Sequence, residues 1–216
     1  MSKLLTLEEG TLLTRVARQA IEFFIRDQKQ LELPKTSSEV LQESRGVFVT
    51  LKKQHPRDKH EWMLRGCIGR LRSESKIRME SISLLEATMQ AALSSALDDP
   101  RFPAVRVEEL DSILVEVSVL TIPERLNLAD RTRLKDQIVI GKDGLIIEGK
   151  GWHRGLLLPQ VAPEQGWNAE EFLQGCCQKA GLPISGYLNP NVKVLKFQAQ
   201  IFAETSPNGE IVERTF

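Results

Sequence analysis

The chain has 216 residues, 41% of them hydrophobic and 27% charged, and its 29 Lys and Arg are balanced by 29 Asp and Glu. That length and texture allow a sizeable core without disulfides or a structural metal, and they exclude a disordered chain, a disulfide-stapled miniature fold and a helical membrane span, which needs about 18 apolar residues in a row. A net charge of zero argues against a general polyanion binder, which carries excess Lys and Arg to neutralise phosphates.

Residues 6–30 open with Thr6 and Glu9 at capping-box spacing. They then place Leu12, Leu13, Val16, Ala17, Ala20, Ile21, Phe24 and Ile25 at helical intervals, which predicts an amphipathic helix. After a loop at 34–38, residues 46–53 read as a strand, 54–59 as a polar turn and 62–68 as a second strand, together a wide antiparallel hairpin. Ile82, Leu85, Met89, Ala92 and Ala96 predict a second long helix that stops at Asp98-Asp99-Pro100. Alternation over 114–120 predicts a strand ended by Pro123. From Leu126 the texture changes, and short strands are expected at 137–140, 145–148 and 155–158. Asn168 with Glu170 and Glu171 marks an N-cap, and the helix it starts runs to Ala180 before Gly181 and Pro183. Residues 194–202 form the last strand, with Leu195, Phe197, Ala199 and Ile201 on one face. Helices and strands come in blocks, so the expected class is α+β, with antiparallel sheets and packed helices. One compact unit is expected, with a larger lobe at 1–125 and 189–216 and a smaller lobe at 126–188.

The neutral total hides a local separation of charge. Residues 45–78 hold ten cations (Arg45, Lys52, Lys53, Arg57, Lys59, Arg65, Arg70, Arg72, Lys76 and Arg78) against Asp58, Glu61 and Glu74, a formal +7. Residues 79–126 hold nine acids against three arginines, a formal −6. The two stretches either attract each other or leave a patch for an anion or a partner.

Cys67 lies in the basic stretch, in Leu64-Arg-Gly-Cys-Ile-Gly69, where Gly66 and Gly69 permit another group to approach closely. If exposed, its thiol would be favoured as thiolate by Arg65, Arg70 and Arg72. A packed, inert thiol is the plainer reading. A base is hard to supply: His55 and His60 fall in or beside the hairpin turn, and His153 opens a different strand. Cys176 and Cys177 are consecutive on a helix and point about 100° apart, so they make no joint ligand pair. No metal-ligand spacing, phosphate loop or nucleophile elbow is present, and no cofactor is expected. Around Pro159 and Pro163, Gln160, Glu164 and Gln165 precede Trp167, either as a connector anchored by the indole or as polar readers of a ligand.

Six ordered segments resemble the AMMECR domain family, whose prokaryotic form is the AmmeMemoRadiSam system protein A. They are Leu64-Arg-Gly-Cys-Ile-Gly69, Asp99-Pro-Arg-Phe-Pro103, Glu116-Val-Ser-Val-Leu120, Gly144-Leu-Ile-Ile147, Leu158-Pro-Gln-Val-Ala162 with Glu164-Gln-Gly-Trp167, and Lys179-Ala-Gly-Leu-Pro183. The resemblance spans nearly the whole chain. It implies an α+β fold of two lobes, a site at LRGCIG in a cleft between them, and association with a Memo-type protein and a radical SAM protein. It names no reaction. Carried over, the site comprises Arg65, Gly66, Cys67 and Gly69, with Glu164 from the later block. Tyr187 stands where the family often has Trp, and Cys177, rather than Cys176, stands where the family has its cysteine.

The leading expectation is a cytoplasmic accessory module that binds a ligand or protein partner through Arg65, Gly66, Gly69, Arg70, Gln160 and Glu164. The alternatives are an enzyme using Cys67 as nucleophile or redox thiol, and nucleic-acid binding through 45–78. Aromatic residues for base stacking are sparse in that stretch, with Phe48 and Trp62 both readable as core.

Overall fold

The computed structural model describes residues 3–55, 57–58, 61–70 and 82–214. His60, Lys59, Arg72, Lys76 and Arg78 lie outside the described residues. The chain divides into two compact units, Met1–Val119 with Gln200–Thr215, and Leu120–Ala199.

The first unit begins with helix α1, Leu7–Asp27. Thr6 accepts from the Glu9 amide and the Glu9 side chain accepts from the Thr6 amide, so the predicted capping box is formed. Leu13, Val16, Ala17, Ala20 and Ile21 are its buried stripe. The short helix α2, Glu39–Gln42, follows. Strands β1, Val47–Gln54, and β2, Trp62–Arg70, then pair antiparallel as the predicted hairpin. Helix α3, Leu84–Leu97, is capped by Ser83 and packs on both strands through Ala91, Ala92, Ser95 and Ala96. Strand β3, Ile113–Leu120, pairs with β1, and all eight of its residues are buried. Alternation within β1 sends Val47, Val49 and Leu51 into the core shared with α1 and α3 and turns Phe48, Thr50 and Lys52 to the opposite face.

The second unit holds β4, Glu124–Arg125; β5, Gly144–Glu148; β6, Arg154–Leu157; the helices α4, Val161–Gln165, and α5, Ala169–Lys179; and β7, Lys193–Phe197. Its sheet runs β4-β7-β5-β6. The core collects Leu134, Leu145, Ile147, Phe172, Leu173, Cys176, Cys177 and Val194. Helix α5 lies close on β6 because Gly155 has no side chain: a Cβ there would stand 2.6 Å from the Cys176 oxygen and from the Ala180 nitrogen.

The sequence predicts one strand over 194–202, and the structure has two. The run is divided at Gln198, β7 staying in the second unit's sheet and β8, Ala199–Glu204, joining the first unit's sheet in the order β2-β1-β3-β8-β9. Strand β9, Ile211–Arg214, closes that order after a turn in which Asn208 has φ 60°. The strand expected at 137–140 is absent. A 3-10 helix, Arg131–Gln137, ends there, and the Val139 carbonyl accepts from Lys142 and Asp143 while its amide donates to the Asp143 carboxylate at 2.9 Å, so the segment is a turn. Ile138 is buried without a ladder partner, which explains the misleading apolar run.

Candidate functional site

Strand β2 is an edge strand, so its outward amides and carbonyls need partners from outside the sheet. At Cys67 and Ile68 these come from the end of α3 and the turn after it. The Cys67 amide donates to Asp99 Oδ2 at 2.8 Å, and Arg101 Nη2 donates to the Cys67 carbonyl at 3.2 Å. The Ile68 amide donates to Ser95 Oγ at 2.8 Å, and that hydroxyl lies 2.7 Å from the Val49 oxygen and 2.8 Å from the Ala91 oxygen. Two of the six family-like segments, LRGCIG and DPRFP, are thereby joined.

Asp99 is buried, while Arg101 is half-exposed. The carboxylate accepts from Arg101 Nε at 2.9 Å, Arg101 Nη2 at 2.7 Å and the Arg101 amide at 3.1 Å. The Arg101 guanidinium holds the Asp99 carboxyl well below the ordinary carboxylate range; burial opposes this, and the Cys67 amide adds to it. Arg101 is pushed up in turn, chiefly by its bonds to Asp99.

The Cys67 thiol is half-buried, and Thr50 Oγ1 donates to its sulfur at 3.3 Å. Among the described residues, neither histidine bonds to the Cys67 sulfur. His55 Nδ1 accepts from the Arg57 and Asp58 amides and shapes the hairpin turn. His153 belongs to the second unit, where Nδ1 sits 3.1 Å from the Ala180 carbonyl; a carbonyl only accepts, so Nδ1 carries the proton. Cys176 and Cys177 are both fully buried, and burial pushes Cys176 up to about 12 and raises Cys177 as well.

The glycines of LRGCIG do admit a close neighbour, and that neighbour is the protein itself. A Cβ on Gly66 would stand 2.2 Å from the Ser95 oxygen, and one on Gly69 would stand 2.3 Å from Phe48 Cε1. Between Gly66, opposite Leu51, and Leu64, opposite Lys52, Arg65 is the extra residue of a β-bulge. Its Nε and Nη2 grip Glu109 at 3.0 and 2.9 Å, which, against burial, holds the Glu109 carboxyl down at about 2. Lys53 joins the same carboxylate at 3.3 Å and Lys52 pairs with Glu116 at 2.8 Å, so the basic and acidic stretches attract each other directly. Among the described cations of the basic stretch, Arg57 and Arg70 form no ion pair.

Gln160 and Glu164 belong to the second unit. Gln160 precedes α4, and Glu164 is exposed on it. Trp167 is anchored against Gly175, where a Cβ would meet its ring at 2.6 Å. Among the described residues, three side-chain atoms are buried without a hydrogen-bond partner: Arg65 Nη1, Arg70 Nε and Gln160 Oε1. All three lie on residues singled out as ligand contacts from sequence. Asp99, Arg101, Ser95, Glu109 and Thr50 were not singled out. The signals for the first two are a charged Asp-Pro-Arg step directly after an apolar helix and its place in one of the six family-like segments.

The AMMECR1 family model matches residues 14–202. The chain belongs to the AMMECR1 family. Relatives of similar length include a protein of Methanothermobacter thermautotrophicus, 49% identical over 201 residues and covering 93% of this chain and 96% of its own. Another is protein MJ0810 of Methanocaldococcus jannaschii, 46% identical over 212 residues and covering 98% of each. The crystal structure of the uncharacterized protein PH0010 from Pyrococcus horikoshii superimposes with a TM-score of 0.81 at 45% identity, covering 96% of this chain and 97% of that one. In this AMMECR1 chain no three His, Cys, Asp or Glu groups among the described residues lie together as a metal site requires. No described helix is long and apolar enough to cross a membrane.

Proposed function

We propose that this AMMECR1 chain is a cytoplasmic accessory module that binds a ligand or protein partner at the 64–70 segment, alongside the Memo-type and radical SAM proteins that the family resemblance brings with it. The observation that carries the reading is the set of orphaned atoms. Buried polar groups without partners are rare and costly, and among the described residues of β2 they are two guanidinium donors, Arg65 Nη1 and Arg70 Nε. The guanidinium donors call for a carbonyl, carboxylate or phosphate oxygen.

The test is capture of the tagged chain by its Memo-type and radical SAM counterparts, with R65K and R70Q beside the unaltered chain. Capture of the unaltered chain with reduced capture of the variants supports the reading. Full retention of both partners by both variants, each melting at the unaltered temperature, removes it.

A second reading, Cys67 as nucleophile or redox thiol, has the half-buried sulfur in its favour. Against it, the group bonded to that sulfur is a hydroxyl that donates, where a nucleophile needs a base that accepts. Alkylation that abolishes function while C67A preserves partner capture would favour the enzyme. Nucleic-acid binding through 45–78 has little support, because Arg45, Lys52, Lys53 and Arg65 are each occupied by a carboxylate.

A further inference from the structure

The β5–β6 hairpin of the second unit carries an aromatic residue that its own fold does not use. Trp152 is 82% exposed, although an indole of that size is normally mostly buried. It is nevertheless held in place. Its ring stacks on His153 with centroids 4.2 Å apart and an interplanar angle of 26°, and His153 is tied to the Ala180 carbonyl. Two glycines in the left-handed region make this arrangement possible. Gly151, at φ 74°, turns the hairpin just before the indole. Gly181, at φ 70°, lies beneath the pair, where a Cβ would come within 3.3 Å of His153 Nδ1 and 3.6 Å of Trp152 Cζ3. Ile184, 52% exposed, is in the turn that follows Gly181.

The charge beside this indole is of one sign. Lys150 is exposed two residues before Trp152, and Lys179 is exposed next to Ala180, the residue that holds His153; neither forms an ion pair among the described residues. The acid on the same hairpin, Glu148, is already shared by Arg154 at 3.3 Å and Lys193 at 3.8 Å. A fixed, solvent-facing indole costs little conformational entropy to bury against a partner, and Trp is the residue type most enriched among interface anchors.

We infer that this hairpin tip is a docking point for an acidic segment of another protein that presents an apolar side chain. The apolar group packs on Trp152 and Ile184, and the carboxylates meet Lys150 and Lys179. A protein segment fits better than a nucleic acid, since a single indole with two lysines offers neither a row of stacking rings nor a track of phosphate contacts. The inference goes beyond the reading at β2 and uses the second unit alone. Its test therefore fails or succeeds independently of R65K and R70Q.

The experiment is a two-dimensional amide NMR titration of the full chain with a short peptide of alternating glutamate and leucine at millimolar concentration, where weak binding is still visible. The expected result is a salt-sensitive set of shifts on the Trp152 indole N–H, Gly151, Lys150, Gly181 and Ile184. Loss of that response is expected in W152A, for which truncation of an interface anchor weakens binding by roughly thirtyfold, and in K150E/K179E. Both substitutions are on the surface; W152A leaves the melting temperature nearly unchanged, and K179E, which puts an acid in the last turn of α5, lowers it by a few degrees at most. A peptide with glutamine for glutamate is expected to respond weakly. The inference is overturned by absence of shifts, by shifts elsewhere, by an equal response to the glutamine peptide, by a stronger response to oligothymidylate, or by shifts that follow the chain's own concentration, as a second copy would produce.

Discussion

Asp99→Ala is the sharpest test of the clamp on Cys67. The substitution removes the acceptor for the Cys67 amide and the partner of Arg101 together. The two losses differ in size. The amide bond is made to a charged acceptor, and leaving that donor unmatched costs about 1.5–3 kcal/mol. Arg101 is 53% exposed, so water replaces its lost carboxylate and the pair contributes about 0–1 kcal/mol. The expected loss is about 1.5–4 kcal/mol, equivalent to a melting temperature lower by roughly 3–16 °C in a chain of this size. R101A should cost no more than about 1 kcal/mol. D99N, which keeps an acceptor but loses the charge, should fall between them. Urea melts of the three variants, with Cys67 alkylation followed alongside, decide the matter, and faster alkylation is expected where the peptide is released. The pH dependence follows from the depressed carboxyl. The unfolded aspartate takes up a proton near pH 4 while the folded one does not, so Asp99 stabilises the fold fully above about pH 5, and that contribution fades as pH falls towards the folded value. The stability gap between the unaltered chain and D99N should therefore be flat from pH 7 to 5 and shrink below 4. If R101A costs as much as D99A, or if the gap widens in acid, the clamp is wrongly assigned.

Gly66→Ala forces a methyl to within 2.2 Å of the Ser95 backbone oxygen, whereas Gly69→Ala meets the Phe48 ring, which can rotate away. Calorimetry should show G66A losing more than about 3 kcal/mol and G69A about 1–3 kcal/mol. Of the three cysteines, Cys67 alone should react with a thiol reagent in the native protein, and all three after denaturation, since Cys176 and Cys177 are sealed in the second core. Glu204 is buried against Arg18 of α1, whose remaining donors reach the Leu110 and Ile113 carbonyls at 2.9 and 2.7 Å. E204A should cost about 3–5 kcal/mol in denaturant melts, and R18M/E204M should recover part of it, because the double change leaves no buried charge unmatched.

Features decided by neighbours in sequence were legible. The capping box at Thr6–Glu9 and the N-cap at Asn168 form as expected, the second closing as a full box with Glu171, since a cap is made by residues three apart. The run over 194–202 misled because alternation says which residues of a strand are apolar and nothing about which sheet receives it. The period survives the transfer at Gln198. Strand β9 has four residues and a single buried apolar one, Ile211, too little for a pattern. At the site, Cys67 and Arg65 stood out from their own segment. Asp99 and Ser95 meet that segment from 32 and 27 residues away, and Glu109 meets Arg65 from 44. Such partners appear only once α3 is laid along β2. Charge segregation was the exception among long-range features: opposite formal charges on consecutive stretches raised mutual attraction as one of two readings, and the Lys52, Lys53 and Arg65 pairs are that attraction.

The distribution of satisfied and unsatisfied groups along β2 has a chemical direction. At Cys67 the amide and carbonyl are both matched, and at Ile68 the amide is, so this stretch of main chain is fixed before anything binds. The orphaned atoms are instead at side-chain ends, Nη1 of an otherwise gripped Arg65 and Nε of Arg70. On the proposed reading, a strand held this way and carrying unmatched guanidinium donors suits recognition, because its ordering cost was met during folding. Each orphan costs about 1–3 kcal/mol where it stays unmatched, and because both atoms are buried a partner's oxygen reaches them only when the side chain turns outward. A covalent catalyst would need the opposite arrangement, with a mobile or polarised thiol and a base within reach of it. The structure spends its hydrogen bonds on holding the Cys67 peptide still and leaves its unmatched donors on the two arginines, and under the proposed function the complement of this strand is an oxygen-rich ligand or partner surface.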